Sequence, residues 1–337
     1  MTGLPTPPRS SVVIATRGSQ LALWQADYVA GLLAAHGVSS EKLIVKTTAD
    51  RVQDRFLHEI GGKGLFVKEL EEALADRRAD LAVHSLKDMT ASLKPPFTLG
   101  AVLKRHPASD LMVFRQDVAR RLAPPPVLAP NDVAAFGALK VGTGSLRRQA
   151  LLQSVAPDIA SVGIRGNVDT RLKKLDEGQW DAIILAEAAI WRLGLEGRQP
   201  ASRLAADWFV PCAAQGALAL ESRIDDPLTD WLRLLACPET TLCCAIEREL
   251  LARLGGDCTM PLGCHVEPVG DGAGRMLVAH AVILAADGEA AKARYAAPLD
   301  AGFDRARYLD ELTQVLARAG AGKILARLGL AVPPHFA

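Results

Sequence analysis

VVIATRGSQLALWQADYVAGLLAAHG, residues 12–37, decides the fold. A short β-rich run, VVIA, passes through a Gly-Ser turn into a segment where Leu21, Trp24, Tyr28, Leu32 and Leu33 recur at helical spacing. Ser19 stands at the N-cap position, which puts Arg17 and Ser19 at a strand-to-helix turn. A strand feeding directly into a helix is the repeating unit of an α/β sheet.

The alternation continues outward through KLIVKTT (42–48), LFVKELEEALADRRAD (65–80) and LAVHS (81–85) as far as Lys104, predicting a mostly parallel sheet. RLAPPPVLAPND (121–132) reads as a Pro-rich piece of low structure. Beyond it a second alternation runs through LKVGTGSLRRQALLQS (139–154), ASVGIRGNVDTRLKKLDEG (160–178) and WDAIILAEAAIWRLG (180–194), with no alignable repeat of the first. Two similar α/β domains facing each other would make a cleft for a ligand. From Pro238 the pattern becomes a helix, a GGDCT loop (255–259), antiparallel-looking runs HVEPV and MLVAHAVILAADG, and one closing helix over 307–328.

The 337 residues are 49% hydrophobic and 23% charged, with a formal net charge of +1. That is ordinary globular usage, long enough for two or three domains, without a general pull toward nucleic acid or membrane. Aromatics make up 5%, and the basic residues are scattered among loops instead of forming a stripe with stacking residues. The first ten residues lack an apolar signal core and no run reaches the length of a membrane span, so a cytoplasmic location is expected. The six cysteines show no C-x-x-C pair; Cys258, Cys264 and His265 lack a convincing fourth ligand, so no metal is expected.

Three loops carry the chemistry. LAVHSLKDM ends an apolar strand in Ser85, Lys87 and Asp88, at the carboxyl end of a parallel strand where open sheets bind ligands; taken alone, a surface Lys-Asp pair is the favoured reading. VGTGSLRRQ brings a Gly-rich turn, a Ser145 cap and adjacent Arg147 and Arg148 together, an anion site by helix-terminus logic but not a Walker loop. Successive helical residues splay by about 100°, which would let the two arginines hold two separate carboxylates. GIRGNVDTR repeats the device with Arg165, a candidate Asn167 cap and Arg171; Arg192 follows the next strand and helix. Each arginine singly is as well read as a solvated side chain. Together, Arg17, Lys87, Arg147, Arg148, Arg165 and Arg171 put cations in such loops of a near-neutral chain, which suits a small anion with several carboxylates. GGKGLF sets Lys63 among glycines, as either a lid or a plain helix entry.

These motifs, with IATRGSQLALWQA, DAIILA, AQGALALE and GGDCTMPLG, resemble the porphobilinogen deaminase (hydroxymethylbilane synthase) family over nearly the whole chain. The resemblance implies two similar doubly wound, periplasmic-binding-protein-like α/β domains and a third, smaller α+β domain carrying the cofactor cysteine. Their expected extents are 1–105 with 215–236, 106–214 and 237–337. It implies a dipyrromethane cofactor on Cys258 through a thioether, held by Ser85, Lys87, Thr143, Ser145, Arg147 and Arg148. Asp88 would be catalytic, and Arg17, Ser19, Arg165, Arg171, Arg192 and Gln215 would engage substrate, with Lys63 on a lid. The implied reaction is a transferase reaction of tetrapyrrole biosynthesis in a monomer: porphobilinogen units join head to tail with loss of ammonia, and water releases hydroxymethylbilane. Asp257 before Cys258, Thr90 after Asp88, Gly144 and Ala214 depart from the family's usual residues. A two-lobed binding protein and a catalytically dead homologue are the alternatives; the loop thiol and Asp88 oppose them.

Overall fold

The computed structural model describes residues 4–47, 67–255 and 260–336. Four strands open the chain: β1 (Ser11–Arg17), β2 (Ser39–Val45), β3 (Leu81–Ser85) and β4 (Phe97–Val102). Six follow: β5 (Asp110–Phe114), β6 (Val127–Leu128), β7 (Lys140–Gly142), β8 (Ala160–Val162), β9 (Ala182–Ala186) and β10 (Ala201–Leu204). The chain then adds β11 (Leu218–Arg223) to the first sheet and ends in β12 (Leu262–Val269), β13 (Met276–Leu284) and β14 (Ala290–Pro298).

The first sheet has the order β2-β1-β3-β11-β4, the second β6-β10-β5-β9-β7-β8, and the third is the antiparallel β12-β13-β14. Each of the first two holds one strand against the common direction, β11 in the first and β5 in the second. Both are the first strands laid down when the chain crosses from one sheet to the other. The sheets are therefore mostly parallel, as the alternation predicts. Central strands β9 and β11 are buried at every residue, whereas β2 at an edge is exposed or half-buried throughout. Helices cover both faces of the first sheet: Gln20–Ala34 on one, with Val29 and Leu33 against Ile14 and Val83, and Lys68–Ala75 on the other, with Leu70 and Leu74 against Ala15 and Ala82.

By packing, the chain divides into a unit of Met1–His106, Arg192–Gly194 and Gly216–Leu242 and a unit of Pro107–Trp191, Leu195–Gln215 and Cys243–Ala337. The three-stranded sheet packs within the second unit, where Val282 and Leu284 join the core of Met112, Phe114 and Leu151. Gly288 there has φ +88°, and a Cβ would lie 2.8 Å from the Ser154 amide nitrogen, so only glycine fits.

Three local expectations change. The first helix buries Ala22, Gln25, Ala26, Val29 and Leu33, so of the apolar stripe Leu33 is in the core while Trp24, Tyr28 and Leu32 are half-buried at the flank of that face. The Pro-rich piece contains β6 and the start of the helix Pro130–Ala135, whose proline occupies the first turn. The closing helix is two, Arg305–Arg318 and Ala321–Arg327, broken at Gly320 with φ +94°. No helix among the described residues is long and apolar enough to cross a membrane.

Candidate active site

In the first unit, β1 and β3 run parallel with Ile14 opposite Leu81, so Arg17 and the Ser85–Asp88 segment emerge from carboxyl ends of neighbouring strands. Ser19 caps the first helix by accepting from the Ala22 amide at 3.3 Å. Beyond β3 the chain makes one 3₁₀ turn, Leu86–Asp88. Leu86 and Met89 are buried at its two ends, and the Leu86 amide donates to Ala217 O at 3.0 Å. That leaves Lys87 and Asp88 half-buried on a turn fixed on both sides. Ser85 Oγ is occupied by Gln25 Nε2 at 2.9 Å.

Arg192 joins this unit, 4% exposed. Its Nε donates to His106 Nδ1 at 2.9 Å and its Nη2 to Gly216 O at 2.7 Å. Burial lowers its pKa to about 10, against the charges of Asp88 and Tyr28, which raise it; the Asp88 carboxylate thus acts on this guanidinium. His106 is pushed down to about 4, by burial first and the Arg192 charge second. Its ring lies edge-on to Trp24 and Tyr28, at 5.9 and 5.7 Å, and those two stack on each other at 5.4 Å.

In the second unit, β7 and β8 are parallel neighbours with Gly142 opposite Val162, so Thr143–Arg148 and Arg165–Arg171 lie at adjacent strand ends. Thr143 is buried and its Oγ1 accepts from the Ser145 amide at 3.3 Å. Ser145 caps the helix Leu146–Val155. Arg147 and Arg148, 3% and 7% exposed, do not splay to separate anions: both reach one carboxylate. Arg147 Nη2 meets Asp110 Oδ2 at 2.7 Å and Arg148 Nη2 meets Oδ1 at 2.6 Å, while their Nη1 atoms donate to Val210 O and Ile184 O. Gln215 Nε2 adds a bond to Asp110 at 2.8 Å, so Gln215 braces this carboxylate. Burial would raise the Asp110 pKa, but Arg148 and Arg147 hold it far below the usual carboxylate range.

Arg165 precedes Gly166, whose φ of +111° turns the chain, and Arg171 Nε donates back to Gly166 O at 2.8 Å. Asn167 occupies the N-cap position without a capping side-chain bond. The pKa of Arg171 falls to about 10 through burial and the like charges of Arg148 and Arg165. These crowded cations, and the buried Nε groups of Arg147 and Arg148 that take no hydrogen bond among the described residues, fit a ligand with several carboxylates.

Lys63 with the Gly61–Gly64 segment, and Cys258 with Asp257, lie outside the described residues. Cys264 is buried in β12. Among the described residues no group of three or more His, Cys, Asp or Glu side chains could hold a metal ion. The sequence reading passed over Asp110 and His106, both in LKRHPASDLMVF (103–114). A carboxylate at the head of an apolar run was the one signal available for Asp110; His106 offered none.

Residues 12–230 match the family model for "Porphobilinogen deaminase, dipyromethane cofactor binding domain", and residues 241–301 that for "Porphobilinogen deaminase, C-terminal domain". A porphobilinogen deaminase of Ralstonia nicotianae is 41% identical over 337 residues, covering 96% of this chain and 94% of its own. One of Xanthomonas campestris pv. campestris is 41% identical over 318 residues, covering 94% and 98%, and one of Nitratidesulfovibrio vulgaris is 45% identical over 267, covering 77% and 79%.

Proposed function

Since the chain belongs to the porphobilinogen deaminase family, which works in tetrapyrrole biosynthesis and binds dipyrromethane, we propose that it condenses porphobilinogen head to tail with loss of ammonia and releases hydroxymethylbilane. The observation that carries this is the mounting of Asp88: a carboxylate on a turn pinned by buried Leu86 and Met89, at the end of a buried strand, with its charge acting on Arg192.

In this reading Asp88 accepts hydrogen bonds from the substrate's pyrrole and amine nitrogens and stabilises the positive charge that develops as ammonia departs. Arg192, Arg17, Arg165 and Arg171, with Ser19, bind the acetate and propionate groups of substrate and lengthening chain, and Lys63 closes over them. Gln215 acts through Asp110, holding the arginine pair in place.

Dipyrromethane, when bound, supplies the pyrrole terminus to which units are joined. Cys258 holds it as a thioether, and Ser85, Lys87, Thr143, Ser145, Arg147 and Arg148 face its carboxylates. The unpartnered Nε groups of the arginine pair support that assignment. The reading carries with it a transferase, monomeric and cytoplasmic, with three domains of 1–105 plus 215–236, 106–214 and 237–337.

Intact-protein mass spectrometry with peptide mapping tests it. A mass excess of two linked pyrrole units on the peptide containing Cys258 is expected. The unmodified mass persisting after incubation with porphobilinogen would overturn the proposal.

A further inference from the structure

Three buried arginines among the described residues end on carboxylates. Arg147 and Arg148 share Asp110, and Arg223 meets Asp226 at 2.6 Å. Arg192 is as deeply buried, and its hydrogen-bond acceptors among the described residues are uncharged: His106 Nδ1 and Gly216 O. They occupy the Nε–Nη2 side of the guanidinium. Nη1 makes no hydrogen bond to the described residues and Nη2 has a second N–H, so the Nη1–Nη2 end keeps the fork that matches a carboxylate in bidentate fashion.

We propose that His106 is a positioning residue for Arg192, a neutral acceptor that aims the guanidinium without pairing its charge, which stays available to a carboxylate of porphobilinogen or of the growing chain. This rests on the reading of Arg192 as a substrate-binding residue. An acidic side chain in the same place would hold the arginine equally well and cancel its charge. The imidazole is fixed from three directions. Trp24 and Tyr28 wall its ring, and its backbone amide donates at 3.1 Å to Gly216 O, the same carbonyl that takes Arg192 Nη2. Burial and the adjacent guanidinium keep the ring uncharged at neutral pH, with the proton on Nε2, because Nδ1 accepts from Arg192.

The test compares His106→Asn, His106→Leu and His106→Asp in the cofactor-loaded enzyme. Asn keeps a neutral acceptor near Nδ1, and its KM for porphobilinogen stays close to that of the parent. Leu removes the acceptor and raises KM about fivefold with kcat within about twofold. Asp restores an acceptor but adds charge, and raises KM at least as much as Leu. A residue that only packs would give the three variants a common KM and separate them by thermal stability alone, and that result would overturn the proposal. Side-chain ¹⁵N NMR of the holoenzyme reads the bond independently of turnover: an unprotonated Nδ1 and protonated Nε2 at pH 6 are expected, and a protonated ring or the reverse tautomer would refute it. Arg192→Gln separates the two layers. Unchanged KM in that variant defeats the substrate role of Arg192, whereas raised KM with silent His106 variants defeats only the role of His106.

Discussion

Arg148 Nη2 lies 2.6 Å from Asp110 Oδ1, inside a core where Asp110 has no exposed surface. The pair, with Arg147 on the other carboxylate oxygen, is a buried assembly whose charges depend on one another. Removing one partner of such an assembly is costly, because the remaining charge loses its counter-ion and stays out of water. Asp110→Asn should lower unfolding stability by about 3–5 kcal/mol. Urea unfolding measures this, and a loss below about 1 kcal/mol would show the arginines finding another anion.

Asp88→Asn keeps the turn and the side-chain volume and removes the charge. Porphobilinogen binding should persist while kcat falls by about 100-fold or more, the scale of a positioned acid-base or charge-stabilising group. Rapid-quench kinetics beside equilibrium binding separates the two, and unchanged turnover would end the catalytic assignment.

Ala214 has φ +60° and a buried amide that donates to Glu247 Oε2 at 2.6 Å. An alanine held left-handed is strained, and glycine is not, although glycine also gains freedom in the unfolded chain. Ala214→Gly should therefore raise stability by up to about 1 kcal/mol, seen as a higher melting temperature. A lower one would mean that unfolded-chain entropy outweighs the relief.

Gly166 fails the opposite way. Its φ of +111° and the Thr170 side chain, 2.7 Å from where a Cβ would sit, exclude any other residue. Gly166→Ala should cost about 2 kcal/mol by left-handed strain and displacement of Thr170. Because Arg165 and Arg171 flank this turn, porphobilinogen binding should weaken with it, as read by KM.

His106 also sets a pH dependence. Its folded pKa of about 4 lies below its ordinary value of 6.5. Between those values the unfolded chain binds the proton and the folded chain does not, so the stability is present above pH 6.5 and lost as pH falls toward 4. For a half-buried ring beside Arg192, Trp24 and Tyr28 the contribution is on the order of 1 kcal/mol after allowance for solvent screening. Stability profiles should show a shallower slope for His106→Asn than for the parent between pH 6.5 and 4, and identical slopes would contradict the shift.

The strand-to-helix order, the Ser19 and Ser145 caps, the strand end that carries Asp88 and the arginine loops were legible in the sequence. They rest on interactions between residues a few positions apart, whose spacing is written in the chain itself. What tertiary structure alone decided is who meets whom across long separations. Trp24 and Tyr28 belong to the stripe read from helical spacing, yet the buried face is formed by Ala22, Ala26, Val29 and Leu33, and the two aromatics lie at its flank against His106. Arg147 and Arg148 read as two separate anion ligands, yet Asp110, 37 and 38 residues earlier, receives both. Local periodicity fixes which face a residue lies on; the partner of a buried charge is set by strand order and by the need to neutralise it out of water, and neither is encoded within the span of one helix turn.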